Sequence, residues 1–292
     1  MVAELGDSVP MLVNTAVLES AEIVLHGPSL SLEGRSIALR KTTRGWIRRL
    51  APPQWRTGLV SGSLESAVRS AWLKLVTSVA EDPDVEWVSP YSRMIATESK
   101  LLQARHAARL DIAVPDTVVS TSIDAAPKWW GDIVVVKPLG PAQYRREDGE
   151  AMVVLARDLA RSDPRLVDLA GAPFLVQQAV PAKRHLRVVT VGKQAWTCAL
   201  DARDLPLDWR EVREAHHSFR IAPSPGVERQ AIALANSLGV GYSSQDWIDT
   251  GANHVFLDLN PAGQWLFLPD PVSQGIAAAI AAFLRSPSRD EE

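Results

Sequence analysis

Short apolar runs that suit strands alternate along this chain with stretches carrying an apolar residue every three or four positions, which suit helices. The plainest run is Ile133-Val-Val-Val, a β-branched stretch closed by Lys137, Pro138 and Gly140. A run without polar alternation fits a strand covered on both faces. Strands are also expected at 9–13, 21–25, 30–39 with a turn at Gly34, 114–120, and 174–180, where Pro181 breaks the run. Residues 186–191 and 194–200 read as a hairpin turning at Gly192-Lys193. Helical spacing predicts helices over 63–79, 97–110, 148–161, 225–238 and 271–284. In the first, Leu64, Val68, Ala71, Leu75 and Val79 form the stripe, and Ser63 with Ser66 suits a cap. In the second, the stripe is Leu101, Ala104 and Ala108. Gly239 suits the end of the fourth.

One more hairpin, 242–265, carries the densest chemistry. Trp247 and Ile248 suit one strand, 255–259 the other, and Gly251 and Asn253 the turn. Side chains alternate along a strand, so Asp258 and Asn260 share one face and Leu257 and Leu259 the other. With Asp246 they form a set of hard oxygen donors suited to Mg²⁺, which takes few protein ligands. A polar edge hairpin is the plainer alternative.

Composition narrows the classes. The 292 residues are 46% hydrophobic and 22% charged, as in a soluble globular protein. A net charge of −3 gives no reason to expect a nucleic-acid partner. No apolar run reaches membrane-span length, and no signal peptide opens the chain. A single cysteine, Cys198, excludes an internal disulfide framework and fits a small buried residue in a cytoplasmic protein. Phosphate loops, dinucleotide fingerprints, zinc spacings and Gly-x-Ser-x-Gly elbows are missing.

Other residues draw attention by position. Lys137 closes a buried strand, where an ammonium reaches an anion in a cleft; a snorkelling surface lysine is the alternative. Lys100 sits in the first turn of a helix, where the dipole disfavours a cation unless it meets a phosphate. Gln177 and Gln178 stand at a strand exit. Arg187 and Arg210 suit clamps for phosphate or carboxylate. The basic stretch 44–49 is a solvated surface or a phosphate or peptide contact.

These pieces, in this order, resemble the ATP-grasp superfamily, above all its peptide-maturing branch of microviridin (graspetide) ligases, cousins of the ribosomal-protein glutamate ligases. The resemblance covers 87–284. Thr97-Glu-Ser-Lys-Leu-Leu-Gln and Val114-Pro-Asp-Thr resemble Ala-Glu-Asn-Lys-x-x-Gln and Val-Pro-x-Thr. Val135-Val-Lys-Pro matches the strand of the second ATP lysine, and Val176-Gln-Gln-Ala-Val-Pro the adenine hinge. Leu186-Arg-Val-Val-Thr-Val-Gly matches the strand that follows. Asp208-Trp-Arg resembles a signature of the peptide-maturing branch. Asp258-Leu-Asn-Pro-Ala-Gly-Gln-Trp resembles Glu-x-Asn-Pro-x-Gly-Gln-Trp, the most specific of the set. The chain departs from the pattern at Gln178 and Asp258, where glutamate is usual, and at His185, where aspartate is usual. An opening strand before residues 2–5 is shortened or missing.

The resemblance implies an α/β chain of α+β lobes: an ATP-grasp fold behind an N-terminal pre-ATP-grasp α/β domain. The expected boundaries are 1–92 for that domain, 93–178 for the central lobe and 179–292 for the C-terminal lobe. It implies ATP and Mg²⁺ as cofactors. Lys100 and Lys137 would contact phosphates; Gln177, Gln178, Val180 and His185 would line the nucleotide pocket; Asp246, Asp258 and Asn260 would hold the metal. Arg187 and Arg210 would stabilise the transferred phosphoryl group. The implied reaction activates a carboxylate as an acyl phosphate and joins it to an amine or hydroxyl, crosslinking a precursor peptide with a leader and an acidic core. A ligase adding a free amino acid, and a non-catalytic binding homologue, are the alternatives. The implied partner is a peptide or other carboxylate substrate, with no nucleic acid and no membrane, in a protein that admits a homodimer.

Overall fold

The computed structural model describes residues 22–24, 29–32, 35–39, 43–48, 62–139, 143–145, 151–153, 156–164 and 172–286. The strand expected at 9–13, the opening near 2–5 and the C-terminal tail beyond Ser286 lie outside them.

The N-terminal part opens with an antiparallel sheet of β1 (Glu22–Val24), β2 (Ser29–Leu32) and β3 (Arg35–Ala38). Next, β4 (Thr43–Gly45) pairs in parallel with β5 (Val85–Trp87), with α1 (Leu64–Ala80) between them in sequence. The Ser63 hydroxyl caps α1 by accepting from the Ser66 N–H at 3.1 Å. The expected stripe is not what α1 buries: Leu64 is 81% exposed, while Val76 and Ala80 are buried, with Ala80 in a cluster with Ile47 and Met94. The buried positions of α1 lie in its C-terminal turns, so position along the element outweighs the pattern around it.

A separate short helix, α2 (Tyr91–Thr97), precedes the helix expected at 97–110, which is α3 (Lys100–Arg109). Ser99 leaves helical dihedrals to accept from the Leu102 N–H, and this cap starts α3 one residue before Lys100. Its buried positions are Gln103 and Ala107; Leu101 is exposed.

A four-stranded antiparallel sheet follows, ordered β10 (Arg157–Ala160), β7 (Ile133–Pro138), β11 (Phe174–Gln178) and β6 (Thr117–Ser120). Val134, Val136, Leu159, Phe174 and Val176 pack on one face with Trp130. The helix expected at 148–161 is replaced by strands: β9 (Ala151–Val153), paired with β8 (Gln143–Arg145), and β10, whose Leu159 lies opposite Val134. The open edge of β7 supplies a ladder to join, and pairing overrides the local spacing.

The largest sheet is antiparallel, in the order β14 (Arg220–Ile221), β13 (Gln194–Asp201), β12 (Arg184–Val191), β15 (Tyr242–Asp249), β16 (His254–Asn260). Leu186 and Val188 of β12 join the cluster of α4 (Pro225–Leu238), which Gly239 ends in a left-handed turn at φ 76°. Val189 and Val191, alternating with them, join that of α5 (Asp270–Arg285). A strand covered on both faces carries apolar residues on both sides, as β12 does with Leu186 and Val188 on one and Val189 and Val191 on the other. Cys198 lies inside this core, fully buried, and burial lifts its thiol to about 11.

The basic stretch near the start joins these parts. Arg44 pairs with Glu86 at 2.7 Å and donates to the Phe283 carbonyl; Arg48 donates to the Ala262 carbonyl and lies over Trp265. Neither is a solvated cation. No helix among the described residues is long and apolar enough to cross a membrane.

Candidate active site

The four-stranded and five-stranded sheets meet around a cavity of about 460 Å³. Strand ends deliver most of its lining. Lys137 comes from the end of β7, Gln177 and Gln178 from the end of β11 with Val180 just beyond, and His185 from the start of β12. Across from them, Asp246 on β15 and Asp258 on β16 sit opposite each other in register. The ladder slips after Asp246, so Trp247 pairs with Phe256. This bulge turns Leu257 into the cavity beside Asp258, against the expected alternation. Lys100 reaches in from the first turn of α3, and its Nζ meets Asp258 Oδ1 at 2.8 Å.

Two expected residues stand outside the lining. Arg187 is buried behind it at 6% exposure, where its Nη1 contacts Asp246 Oδ1 at 3.0 Å and donates to Ser244 Oγ at 3.1 Å. Asn260 is exposed at the end of β16, and its Oδ1 accepts from the Ala262 N–H at 2.8 Å.

Asp246 differs most from expectation. Its two oxygens are both taken: Oδ1 by Arg187 and Oδ2 by Arg210. Burial alone would lift its carboxyl; the two guanidinium groups outweigh that and hold it below the ordinary carboxylate value. The same contact raises Arg210. Burial pulls Arg187 down, yet an arginine has so high an ordinary value that it keeps its charge. Asp208 completes the group. It caps the turn of Trp209–Glu211, accepting from the Arg210 N–H at 3.1 Å and from Arg210 Nη1 at 3.0 Å. The Trp209 ring lies under both guanidinium groups, 5.0 Å from Arg210 and 5.7 Å from Arg187.

Lys137 is the opposite case. It has no ion pair among the described residues, and burial lowers its ammonium, with Asp258 pulling back up and Lys100 pushing down. A recessed cation without a counterion favours an anion in the cavity. His185 is lowered by burial too and stays neutral at pH 7.

The donor set fits a hard divalent cation in part. Asp258 is about one-third exposed and faces the cavity, with Asn260 two residues along. Asp246 is committed to the arginines. Among the described residues no three His, Cys, Asp or Glu side chains converge on one point. A cation held here would take few protein ligands and complete its shell from water and phosphate oxygens, the habit of Mg²⁺.

Sequence reasoning missed Ser244, although the period of two from Asp246 puts it on the same strand face. It quoted Asp208 in the Asp-Trp-Arg run without giving it a task. It likewise quoted Gln103, the last residue of the Thr97-Glu-Ser-Lys-Leu-Leu-Gln run, without giving it a task, although three residues after Lys100 it lies on the same face of α3.

No protein-family model matches the sequence, and no curated protein matches it. Solved structures do. The macrocyclase MdnC of Microcystis aeruginosa MRC, bound with the precursor peptide MdnA, superposes with a TM-score of 0.74 at 23% identity, covering 91% of this chain and 87% of that one. The chain has the ATP-grasp fold. A RiPP-associated ATP-grasp ligase of Chryseobacterium gregarium, in complex with ADP and a leader and core peptide, gives 0.77 at 20% identity, covering 92% and 86%. The ATP-grasp ligase PsnB, complexed with a minimal precursor, Mg and ADP, gives 0.64 at 18% identity, covering 91% and 85%. In ATP-grasp terms, the cavity lies between the central and C-terminal sheets, with Lys100, Lys137 and Asp258 grouped inside it.

Proposed function

We propose that this chain is an ATP-dependent ligase that activates side-chain carboxylates of a peptide and joins them to amine or hydroxyl side chains, as amides or esters. The observation that carries this reading is Lys137, a recessed ammonium with no ion pair among the described residues, beside a Lys100–Asp258 pair in one cavity. MgATP bound there would supply the phosphoryl group that makes a carboxylate an acyl phosphate, from which the amine or hydroxyl displaces phosphate.

The chain's own residues position and neutralise. Lys137 and Lys100 would meet phosphate oxygens. Asp258, with Asn260 two residues along, would hold Mg²⁺. Arg210 would face the charge that develops on the transferred group, and Asp246 and Asp208 fix it in place beforehand, with Arg187 behind the lining holding the other oxygen of Asp246. Such preorganisation carries the catalysis where the protein forms no covalent bond. Gln177, Gln178, Val180 and His185 line the base and ribose end with neutral groups. The expected division into domains 1–92, 93–178 and 179–292 fits a nucleotide held between the last two. A peptide partner is favoured over a free amino acid because the solved structures that resemble this chain hold precursor peptides.

Mass spectrometry of a neighbouring gene's precursor peptide, incubated with ATP and Mg²⁺, tests the reading. The expected product has lost one water per bond, with one ADP formed each time. A mass gain matching an added amino acid would reject the crosslinking reaction.

A further inference from the structure

Gln103 is buried at 2% exposure in the first turns of α3, and all three of its amide contacts go to backbone. Its Nε2 donates to the Thr97 carbonyl at 2.7 Å, spanning the break between α2 and α3. The same nitrogen donates to the Leu259 carbonyl at 2.8 Å, and the Leu259 N–H donates to Gln103 Oε1 at 2.9 Å. Leu259 lies on β16, the edge strand of the five-stranded sheet. An edge strand presents unpaired N–H and C=O groups. Here a side-chain amide takes the place of a neighbouring strand at one residue, pairing both of its backbone groups.

That residue stands between Asp258 and Asn260. Gln103 itself stands one turn along α3 from Lys100, whose Nζ is 2.8 Å from Asp258 Oδ1. The amide therefore ties the helix bearing a phosphate-binding lysine to the strand bearing the two metal donors. Further along the same edge, the Phe256 N–H donates to the Ala113 carbonyl at 2.9 Å. That contact lies three residues from Leu259; on this open edge, Gln103 is the backbone partner at the level of the donors among the described residues. We propose that Gln103 is a positioning residue: it sets the height and rotation of Asp258 and Asn260 relative to Lys100, and so the geometry in which Mg²⁺ and nucleotide phosphates are held together. This rests on the ligase reading above. It extends that reading to a residue that touches neither metal nor nucleotide.

Outer residues that orient metal ligands commonly carry about ten- to hundredfold in metal affinity when removed. The test is calorimetric binding of ADP to the full chain across a Mg²⁺ titration, in wild type, Gln103→Met and Gln103→Glu. Gln103→Met leaves both backbone groups of Leu259 without partners. Gln103→Glu keeps the length and the acceptor for the Leu259 N–H, and so remains informative if the first variant folds poorly. The expected result is a rise of about tenfold or more in the Mg²⁺ needed for half-maximal ADP binding, in variants whose unfolding transition stays cooperative. A lowered melting temperature with the Mg²⁺ midpoint unchanged would assign Gln103 a purely structural role and overturn the proposal, leaving the ligase reading intact. Wild-type protein that binds no ADP at any Mg²⁺ concentration would overturn the ligase reading, and this one with it.

Discussion

At the scale of single residues, two charged side chains in one cavity are treated oppositely. Lys137 is recessed with no ion pair among the described residues; Asp246 is held by two arginines. Replacing Lys137 with methionine removes a charge-assisted bond, and calorimetry should show MgATP binding weakened by about 1.5–3 kcal/mol, roughly ten- to hundredfold. The same group gives a pH signature in the free protein. Its folded value lies below the ordinary 10.5, so between the two the unfolded chain binds more protons, and stability rises with pH across that window. Unfolding at alkaline pH should show this rise in wild type and lose it in Lys137→Met. Asp246 predicts a different defect. Asp246→Asn leaves Arg187 buried with its charge uncompensated, at a cost of about 3 kcal/mol or more in urea unfolding. Asp258→Asn, at a partly exposed site, should cost little stability and abolish turnover. Equal stability losses in both would contradict the division of roles.

At the scale of elements, what could be foreseen depended on how local the cause was. The hairpin of β12 and β13, the helix α4 with its Gly239 stop, and the pair β15 and β16 follow from alternation, helical spacing and turn residues a few positions apart. The replacement of the helix at 148–161 by β9 and β10 depends on the edge of β7, a partner distant in sequence that no window contains. The exposed stripe of α1 and the buried Gln103 of α3 have the same origin: which face is covered is decided by what packs there. Among site residues, those at strand ends, Lys137, Gln177 and Gln178, were legible because the strands were. The engagement of Asp246 by Arg187 and Arg210 was not, since it needs the register of β12 against β15 and the placement of Trp209–Glu211 over them. Beyond β16, Gly263 offers an element-level test. A Cβ there would fall 2.3 Å from Ser244 Cβ, and its carbonyl already accepts from the Tyr242 hydroxyl at 2.7 Å. Gly263→Ala should cost about 1–3 kcal/mol in urea unfolding by overpacking, and shift Asn260 enough to weaken Mg²⁺-dependent activity. Wild-type stability would show that this loop yields freely.

At the scale of the whole molecule, two sheets contribute opposite halves of one site. The four-stranded sheet brings Lys137 and the neutral glutamines; the five-stranded sheet brings Asp246, Asp258 and Arg187, the turn Trp209–Glu211 brings Arg210, and α3, tied to the sheet through Gln103, brings Lys100. Arg157 of β10 pairs with Glu211, next to Arg210, so the two halves are also tied beside the cavity. The central claim is that phosphoryl transfer to a peptide carboxylate precedes bond formation. Labelling the carboxylates of the precursor peptide with heavy oxygen tests it most directly. Transfer through an acyl phosphate puts one carboxylate oxygen into the phosphate released with ADP, one for each bond formed. Label recovered in AMP, with pyrophosphate as the other product, would contradict the proposed reaction.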